Sequence, residues 1–282
     1  MEHARFCPVA KLEKILLAVD KSEFSEGAVS EAISFAGKCS SKLYALSVLE
    51  TNPEYETIGA KAYEQEEQEI VKYLGSIKER AEKEGLDCEI MFYHGGNVYQ
   101  DIVDEAAEKK VDIIVIGKHG RKGLTKLLMG EVAAKVIGNA PCKVLVVPKA
   151  ARVGYNKILV ATDGSEHSIA AVAEAIEIAK RCGSHLLAVS AMRDESELNE
   201  ATANVNKVVD LAQKEGVSAE ALTPIGRSFN VIIETAGGRG VDLIVMGAYG
   251  KTGLRKVLMG SSTEKVIGLA QCAVLVVTAT RE

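Results

Sequence analysis

Two stretches of this chain share one pattern: VDIIVIGKHGRKGLTKLLMGEV at residues 111–132 and VDLIVMGAYGKTGLRKVLMGSS at 241–262. Each begins with an apolar run of strand length and then places three glycines at the same spacing. These glycines are Gly117, Gly120 and Gly130 in the first stretch and Gly247, Gly250 and Gly260 in the second. A buried strand that ends in glycine and leads into a helix is typical of a parallel α/β sheet.

The two stretches belong to a longer internal repeat. KILLAVDKSEFSEGAVSEAISFAGKC at 14–39 matches KILVATDGSEHSIAAVAEAIEIAKRC at 157–182. Residues 117–147 are identical to residues 247–277 at 18 of 31 positions. Such self-similarity indicates a duplicated domain.

The repeat predicts two modules, 1–150 and 151–282, joined by a linker near 149–156. So short a linker holds the modules close together, and we expect a fixed pair. Their last strands, 143–147 and 273–278, are apolar apart from a terminal Lys143 and Thr278 and would otherwise be exposed sheet edges. We therefore expect the modules to pair through these strands, and a homodimer is a further expectation.

Short apolar runs alternate with helical stretches in each module. The predicted strands are 14–19, 42–49, 88–93, 112–117, 143–147, 157–162, 185–191, 218–222, 241–247 and 273–278. The predicted helices are near 25–39, 57–84, 97–109 and 131–139, with counterparts in the second half. The strands lack period-two alternation, as expected for strands covered on both faces. The prediction is an α/β fold of two tandem doubly wound domains, each a five-stranded parallel sheet with helices on both faces.

Composition excludes several classes of partner. The chain has 34 Lys+Arg against 39 Asp+Glu, a net charge of −5, 5% aromatic residues and no Trp. These values argue against nucleic acid or an acidic membrane surface as a partner. The apolar runs are too short to cross a bilayer, and the N-terminal residues lack the apolar core of a signal peptide. We expect a cytoplasmic protein.

The six cysteines form no CxxC pair, and no His/Cys group has metal-ligand spacing. We therefore predict no metal site from protein spacing alone. Cys39 and Cys182 occupy matching places in the repeat, as do Cys142 and Cys272. All four are expected to pack as small apolar side chains.

The third glycine of the second stretch, Gly260, precedes SSTEKVIGLA, which predicts a helix with hydroxyl side chains in its first turn. Backbone N–H groups at a helix N-terminus bind anions, phosphates above all. Asp163, at the end of the module's first strand, would face the same crevice and suits ribose hydroxyls or Mg²⁺. Each feature alone also has a structural explanation, since glycines permit turns and Ser or Asp commonly cap helices.

Together these residues resemble the universal stress protein family. VATDGSEHS, VMGAYGKTGLRKVLMGSSTEKVI and AVLVV carry the resemblance, which covers essentially the whole chain as two tandem modules. Nucleotide-binding members carry Gly, two residues, Gly, nine residues, then Gly-[Ser/Thr], and the second module matches this pattern fully. The resemblance implies a sheet order of 3-2-1-4-5 and a site for ATP or AMP, with Mg²⁺ accompanying ATP.

The resemblance also implies roles for particular residues. Asp163 would hold the ribose, the Val189 backbone would meet the adenine, and Met246 would line the floor. The full set of implied cofactor-binding residues is Ala161, Thr162, Asp163, Val189, Met246, Gly247, Ala248, Gly250, Gly260, Ser261, Ser262 and Thr263. The last five from Gly250 onward would hold the phosphates.

The first module departs from the family pattern. Asp20, Gly117, Gly120 and Gly130 match, but Lys21 replaces the glycine found at 164, and Glu131 replaces Ser261. The Glu131 carboxylate either caps its helix or takes the phosphate's place and repels a triphosphate. Nucleotide is therefore expected mainly in the second module.

The resulting functional hypothesis is an adenine-nucleotide-binding stress-response or signalling switch with an unknown protein partner. One alternative is a slow ATPase, for which Arg227, Lys251 and Arg255 are candidate phosphate clamps. No residue is assigned a catalytic role, and at most weak ATP hydrolysis is expected. Another alternative is an interaction module that binds no ligand.

Overall fold

The computed structural model describes residues 12–51, 60–120, 129–151, 153–251 and 259–278. The strands are β1 Lys14–Ala18, β2 Lys42–Glu50, β3 Cys88–Gly95, β4 Ile113–Gly117, β5 Lys143–Val147, β6 Lys157–Ala161, β7 His185–Val189, β8 Ala219–Leu222, β9 Leu243–Gly247 and β10 Ala273–Val277. The helices are α1 Glu26–Cys39, α2 Ala60–Lys83, α3 Val98–Lys109, α4 Glu131–Asn139, α5 Glu166–Cys182, α6 Leu198–Lys214, α7 Ser228–Arg239 and α8 Ser261–Leu269. Every predicted strand and first-half helix is present, with ends that differ by a few residues; the predicted helix start at 57–59 lies outside the described residues.

The ten strands form one mixed sheet with the order β3-β2-β1-β4-β5-β10-β9-β6-β7-β8. Within each module all strands are parallel and follow the order 3-2-1-4-5, which confirms the expected fold class. The modules join where β5 and β10 pair antiparallel, with Leu145 opposite Leu275. The expected pairing through the last strands is therefore confirmed.

Helices cover both faces of the sheet because each strand alternates its apolar side chains between two cores. In β1, Ile15 and Leu17 contact the core beneath α1, α2, α5 and α6. Leu16 and Ala18 contact the opposite core, beneath α3, α4, α7 and α8. Each core runs through both modules. The continuous apolar runs seen in the sequence follow from this double coverage.

Polar contacts between the modules differ on the two sides of the β5–β10 junction. Lys143 Nζ on β5 lies 2.7 Å from Glu174 Oε1 on α5. Glu31 on α1, which corresponds to Glu174 at an offset of 143, instead accepts a hydrogen bond of 3.0 Å from the Tyr155 hydroxyl. The linker also packs tightly, since a Cβ at Gly27 would lie 2.3 Å from the Pro148 carbonyl oxygen. These contacts hold the two modules together as a pair.

The cysteines only partly follow their expected roles. Cys142, Cys182 and Cys272 are free and half-buried, and burial raises the pKa of each thiol, as expected for packing residues. Cys39 is disulfide-bonded, so the prediction of a simple packing role was wrong for this residue. Helix length and polarity across the described residues leave no candidate for a bilayer span.

Candidate functional site

A cavity of about 700 Å³ lies in the second module at the carboxyl ends of β6, β7 and β9. The strand order reverses between β6 and β9, and ligands bind at this position in open α/β sheets. The predicted residues that line it are Ala161, Thr162, Asp163, Val189, Met246, Gly247, Gly250, Gly260, Ser261, Ser262 and Thr263. Ala248 lies behind the wall, fully buried, and its N–H donates to the Val277 carbonyl at 3.0 Å.

Asp163 is held rigidly at the end of β6. Its Oδ1 accepts from the Ser165 N–H at 3.0 Å, and its Oδ2 accepts from the Lys251 N–H at 2.8 Å. Burial alone would raise the pKa of this carboxyl, but hydrogen bonds from Ser165, Lys251 and Ser168 together lower the pKa below its usual value. Asp163 therefore presents a fixed negative charge to the cavity.

The loop glycines have a packing explanation. A Cβ on Gly247 would lie 2.8 Å from the backbone carbon of His167, where α5 begins. A Cβ on Gly250 would lie 2.6 Å from Asp163 Oδ2. At Gly260 the nearest atom, the Ala248 carbonyl oxygen, would be 3.3 Å away. Close approach of the loop to the rest of the module thus requires bare backbone at two of these positions without any ligand.

The N-terminus of α8 opens toward the cavity. Gly260 is the N-cap residue, and the first intrahelical bond runs from the Glu264 N–H to the Gly260 carbonyl at 3.0 Å. The N–H groups of Ser261, Ser262 and Thr263 precede that bond, so the helix itself offers them no acceptor. The Thr263 hydroxyl is already used, because it donates to the Gly247 carbonyl at 3.1 Å. Backbone N–H groups and the first two serines remain for an anion.

The cavity also has lining residues that sequence reasoning missed, which lie on several helices and on the loops after β7, β8 and β9. Those with polar or aromatic side chains are Ser168, Ser190, Arg193, Glu197, Glu200, Asn204, Ser228, Phe229, Tyr249 and Lys265, in addition to the anticipated Arg227 and Lys251. Lys251 forms an ion pair with Glu200. The signal that would have found several of them is their position after β7 or β8, since those loops meet at the same sheet edge. Arg255 lies outside the described residues.

The first module builds the same framework. Asp20 Oδ1 accepts from the Ser22 and Ser25 hydroxyls at 2.6 and 2.9 Å. A Cβ on Gly120 would lie 2.9 Å from Asp20 Oδ2, as Gly250 does relative to Asp163. Similarly, a Cβ on Gly117 would lie 2.9 Å from the Phe24 carbonyl oxygen. Gly130 is the N-cap residue of α4, as Gly260 is of α8.

Larger side chains stand in the first module where the second has its cavity. Aligning AEKEG at 81–85 with AQKEG at 212–216 places Ile70 opposite Ala201 and Tyr73 opposite Asn204. Ala201 and Asn204 line the cavity, whereas Ile70 is buried in the core. Burial, with the charges of Glu26 and Asp20 beside it, raises the pKa of Tyr73 to about 12. The acid that corresponds to Asp163 is thus one of the charges that act on this hydroxyl.

Glu131 and Lys21 mark the two departures from the second module. Glu131 Oε1 lies 2.6 Å from Lys135 Nζ, one turn along α4, and its side chain is 78% exposed. This is an ordinary i,i+4 pair at a helix N-terminus. Lys21 has φ 57°, and Gly164 at the equivalent place has φ 76°. A lysine thus adopts the left-handed conformation that glycine adopts at no steric cost.

The module is a doubly wound α/β domain with an acid after its first strand and an open helix N-terminus after its fourth, and folds of this class bind their ligands at that edge. The model of the universal stress protein family matches residues 11–148 and 154–278, and the chain belongs to that family. A universal stress protein of Methanocaldococcus jannaschii is 34% identical over 145 residues, which cover 49% of this chain and 82% of that protein.

One solved structure supports the fold over nearly the whole chain. A universal stress protein from Archaeoglobus fulgidus matches 94% of this chain and 96% of its own, with a TM-score of 0.75 and 18% identity. Another universal stress protein, crystallised in complex with cAMP, is 27% identical and matches 44% of this chain and 98% of its own, with a TM-score of 0.39. The cAMP complex describes that protein.

Proposed function

We propose that the second module binds an adenine nucleotide, ATP or AMP, and that the chain acts as a nucleotide-dependent stress-response or signalling switch in the cytoplasm. The observation that carries the proposal is the cavity that joins Asp163 to the N-terminus of α8. Its volume of about 700 Å³ is within the usual range for small-molecule sites. Mg²⁺ would accompany ATP near Asp163, because a carboxylate is a preferred ligand of this ion. The described residues contain no group of three or more potential metal ligands.

Differences between the modules support nucleotide binding in the second. Ile70 and Tyr73 replace smaller residues that line the second-module cavity. Steric bulk is thus a better explanation for a weak first site than the exposed carboxylate of Glu131. The domain limits that we propose for the two modules are 1–150 and 151–282.

The geometry favours a binding protein over a fast ATPase. A general base works best when its pKa lies near the working pH. Hydrogen bonds lower the pKa of Asp163, and both of its oxygens already accept backbone N–H groups. Asp163 is therefore suited to holding hydroxyl groups or a cation, with at most weak hydrolysis as a side reaction.

The substitution Ser261→Glu tests the proposal, because it gives α8 the residue that α4 has at its start, Glu131. Two unit charges about 4 Å apart repel by roughly 4 kcal/mol at an effective dielectric constant near 20, and solvent screens part of this. We expect calorimetry to show ATP affinity reduced about tenfold or more, AMP affinity reduced less, and adenosine affinity unchanged.

The matched control is Glu131→Ser, which makes the reverse exchange in the first module. It should leave ATP affinity and stoichiometry as in the unaltered chain. If the unaltered chain binds no adenine nucleotide, the proposed function is wrong. If Ser261→Glu leaves ATP affinity unchanged while the protein stays folded, the phosphates do not lie at α8.

A further inference from the structure

An ion pair joins two residues that line the cavity of the second module. Lys251, directly after the glycine loop, pairs with Glu200 on α6, and both residues line the cavity. The backbone N–H of the same lysine donates to Asp163, so its position is fixed at the cavity wall. The ammonium group of this lysine is therefore neutralised by a carboxylate of the protein itself.

The first module has the same glutamate and obtains its lysine from elsewhere. Glu69 corresponds to Glu200 at the offset of 131, and it pairs with Lys21 from the loop after β1. The second module has Gly164 at that loop position, and its lysine comes from the loop after β9. In both modules, a lysine from a loop that follows a strand thus forms an ion pair with the equivalent glutamate of the neighbouring helix.

We propose that Glu200 sets how strongly the second-module site responds to the number of phosphates on its ligand. Glu200 is the counter-ion of Lys251 in the free protein, and a phosphate chain must compete with Glu200 for the Lys251 ammonium group. This inference rests on the proposed nucleotide site and adds a residue that controls its charge selectivity.

The pair is well suited to exchange partners. The side chains of Lys251 and Glu200 are 47% and 62% exposed, and ion pairs this exposed contribute little to stability. A phosphate group can therefore displace Glu200 at low cost. The carboxylate then remains beside the ligand and repels it in proportion to the ligand's negative charge. Glu200 accordingly weakens ATP binding more than AMP binding and leaves adenosine binding unaffected.

The neighbouring acid on this wall has its own partner. Glu197 also lines the cavity, but it accepts a hydrogen bond from the Arg193 N–H at 2.9 Å and lies 3.7 Å from the Arg193 guanidinium. Its charge is therefore balanced without Lys251. Glu200 is the acid whose charge the phosphate end of a ligand would encounter together with Lys251.

The experiment titrates the full chain, Glu200→Gln and Glu69→Gln with ATP, AMP and adenosine at low and high salt. Glu200→Gln should bind ATP about twofold to fivefold more tightly, the range expected for an exposed pair. The gain should be smaller for AMP, absent for adenosine, and reduced at high salt. Glu69→Gln should match the unaltered chain, because it breaks the corresponding pair in the other module.

A second variant, Lys251→Met, separates charge from shape. It should weaken ATP binding more than AMP binding. Adding Glu200→Gln to Lys251→Met should still relieve the repulsion, but the gain in ATP affinity should be smaller than in the unaltered chain. Equal effects of Glu200→Gln on ATP and adenosine, or no effect on either, would overturn the inference and leave nucleotide binding intact. If none of the three ligands binds the unaltered chain, the proposed function and this inference both fail.

Discussion

Glu31 and Glu174 occupy equivalent positions on α1 and α5, and their carboxylates have opposite surroundings. Glu174 has an ammonium partner, Lys143, at 2.7 Å. Glu31 is 6% exposed and accepts hydrogen bonds from the Tyr155 hydroxyl and the Val153 N–H, and the Lys38 charge also acts on it. Burial raises the pKa of Glu31 to about 7, and its hydrogen bonds and Lys38 offset only part of that effect. One repeated residue has therefore become two different electrostatic groups.

This raised pKa predicts a pH-dependent stability. The folded chain binds the Glu31 proton more tightly than the unfolded chain, whose pKa is near 4.5. The stabilising contribution of the proton is complete below about pH 4.5 and is lost as pH rises through about 7. A difference of this size corresponds to about 3 kcal/mol. Urea unfolding of the unaltered chain should accordingly show a decline in the free energy of unfolding between pH 5 and 8.

Glu31→Gln keeps an acceptor for Tyr155 without the ionisation, so the decline between pH 5 and 8 should become shallower and the variant should be the more stable protein at pH 8. Glu174→Gln is the control at the equivalent position. It removes the partner of Lys143 and should lower stability at pH 8 by about 1–3 kcal/mol. An unchanged pH slope in Glu31→Gln would assign the dependence to other groups.

Among the elements, α8 is positioned by its contact with the end of β9. The buried Thr263 hydroxyl donates to the Gly247 carbonyl, and the Gly260 N–H donates to the Ala248 carbonyl at 2.9 Å. These bonds fix the helix N-terminus against the strand that lines the cavity floor. The family resemblance placed Thr263 among the phosphate-binding residues; in the structure its hydroxyl joins α8 to β9, and its backbone N–H stays at the open end of the helix.

Thr263→Val tests this role at the level of the helix. Valine is close to threonine in shape but cannot donate, so the Gly247 carbonyl loses a partner, and the free energy of unfolding should fall by about 1–2 kcal/mol. ATP affinity, measured on the folded variant, should change little. The neighbouring Ser262→Ala should show the reverse, with nearly unchanged stability and weaker ATP binding. If Thr263→Val lost ATP affinity without losing stability, the Thr263 hydroxyl would be a ligand contact.

At the scale of the whole molecule, the β5–β10 contact converts two sheets into one. Its centre is the Leu145–Leu275 pair, flanked by valine on each strand. Strand edges this apolar pair readily with another chain when they are left open. The covalent linker holds the second module close to the first and so favours pairing within one chain over pairing between chains.

Separating the modules should expose that edge. A fragment of residues 151–282 has β10 without β5, and we expect it to dimerise by antiparallel pairing of two β10 strands about Leu275. Analytical ultracentrifugation should show the fragment as a dimer. The full chain, measured at the same concentrations, is the reference. A folded fragment, by circular dichroism, that stays monomeric at high concentration would contradict this expectation.

The strand order was implied by the family resemblance, whereas the sequence by itself determined the repeat, the ten strands and the doubly wound class of each sheet. It did so because apolar runs, glycine spacing and helical stretches are local patterns, and short right-handed connections then leave few arrangements. It also placed Asp163 and the start of α8 at one sheet edge, since the carboxyl ends of parallel strands lie together. The reason for the glycines at 247 and 250 was not visible, because the atoms that crowd them come from His167 and Asp163.

Only the tertiary structure decided which side chains meet across long sequence separations. It brought Glu200 of α6 to Lys251, and it gave Glu31 a tyrosine where Glu174 received a lysine. It also set the bulk of Ile70 and Tyr73 against the open space beside Ala201 and Asn204. These outcomes depend on how helices pack on a finished sheet, and the nearly equal repeat motifs carry no information about the side chains that packing will bring together.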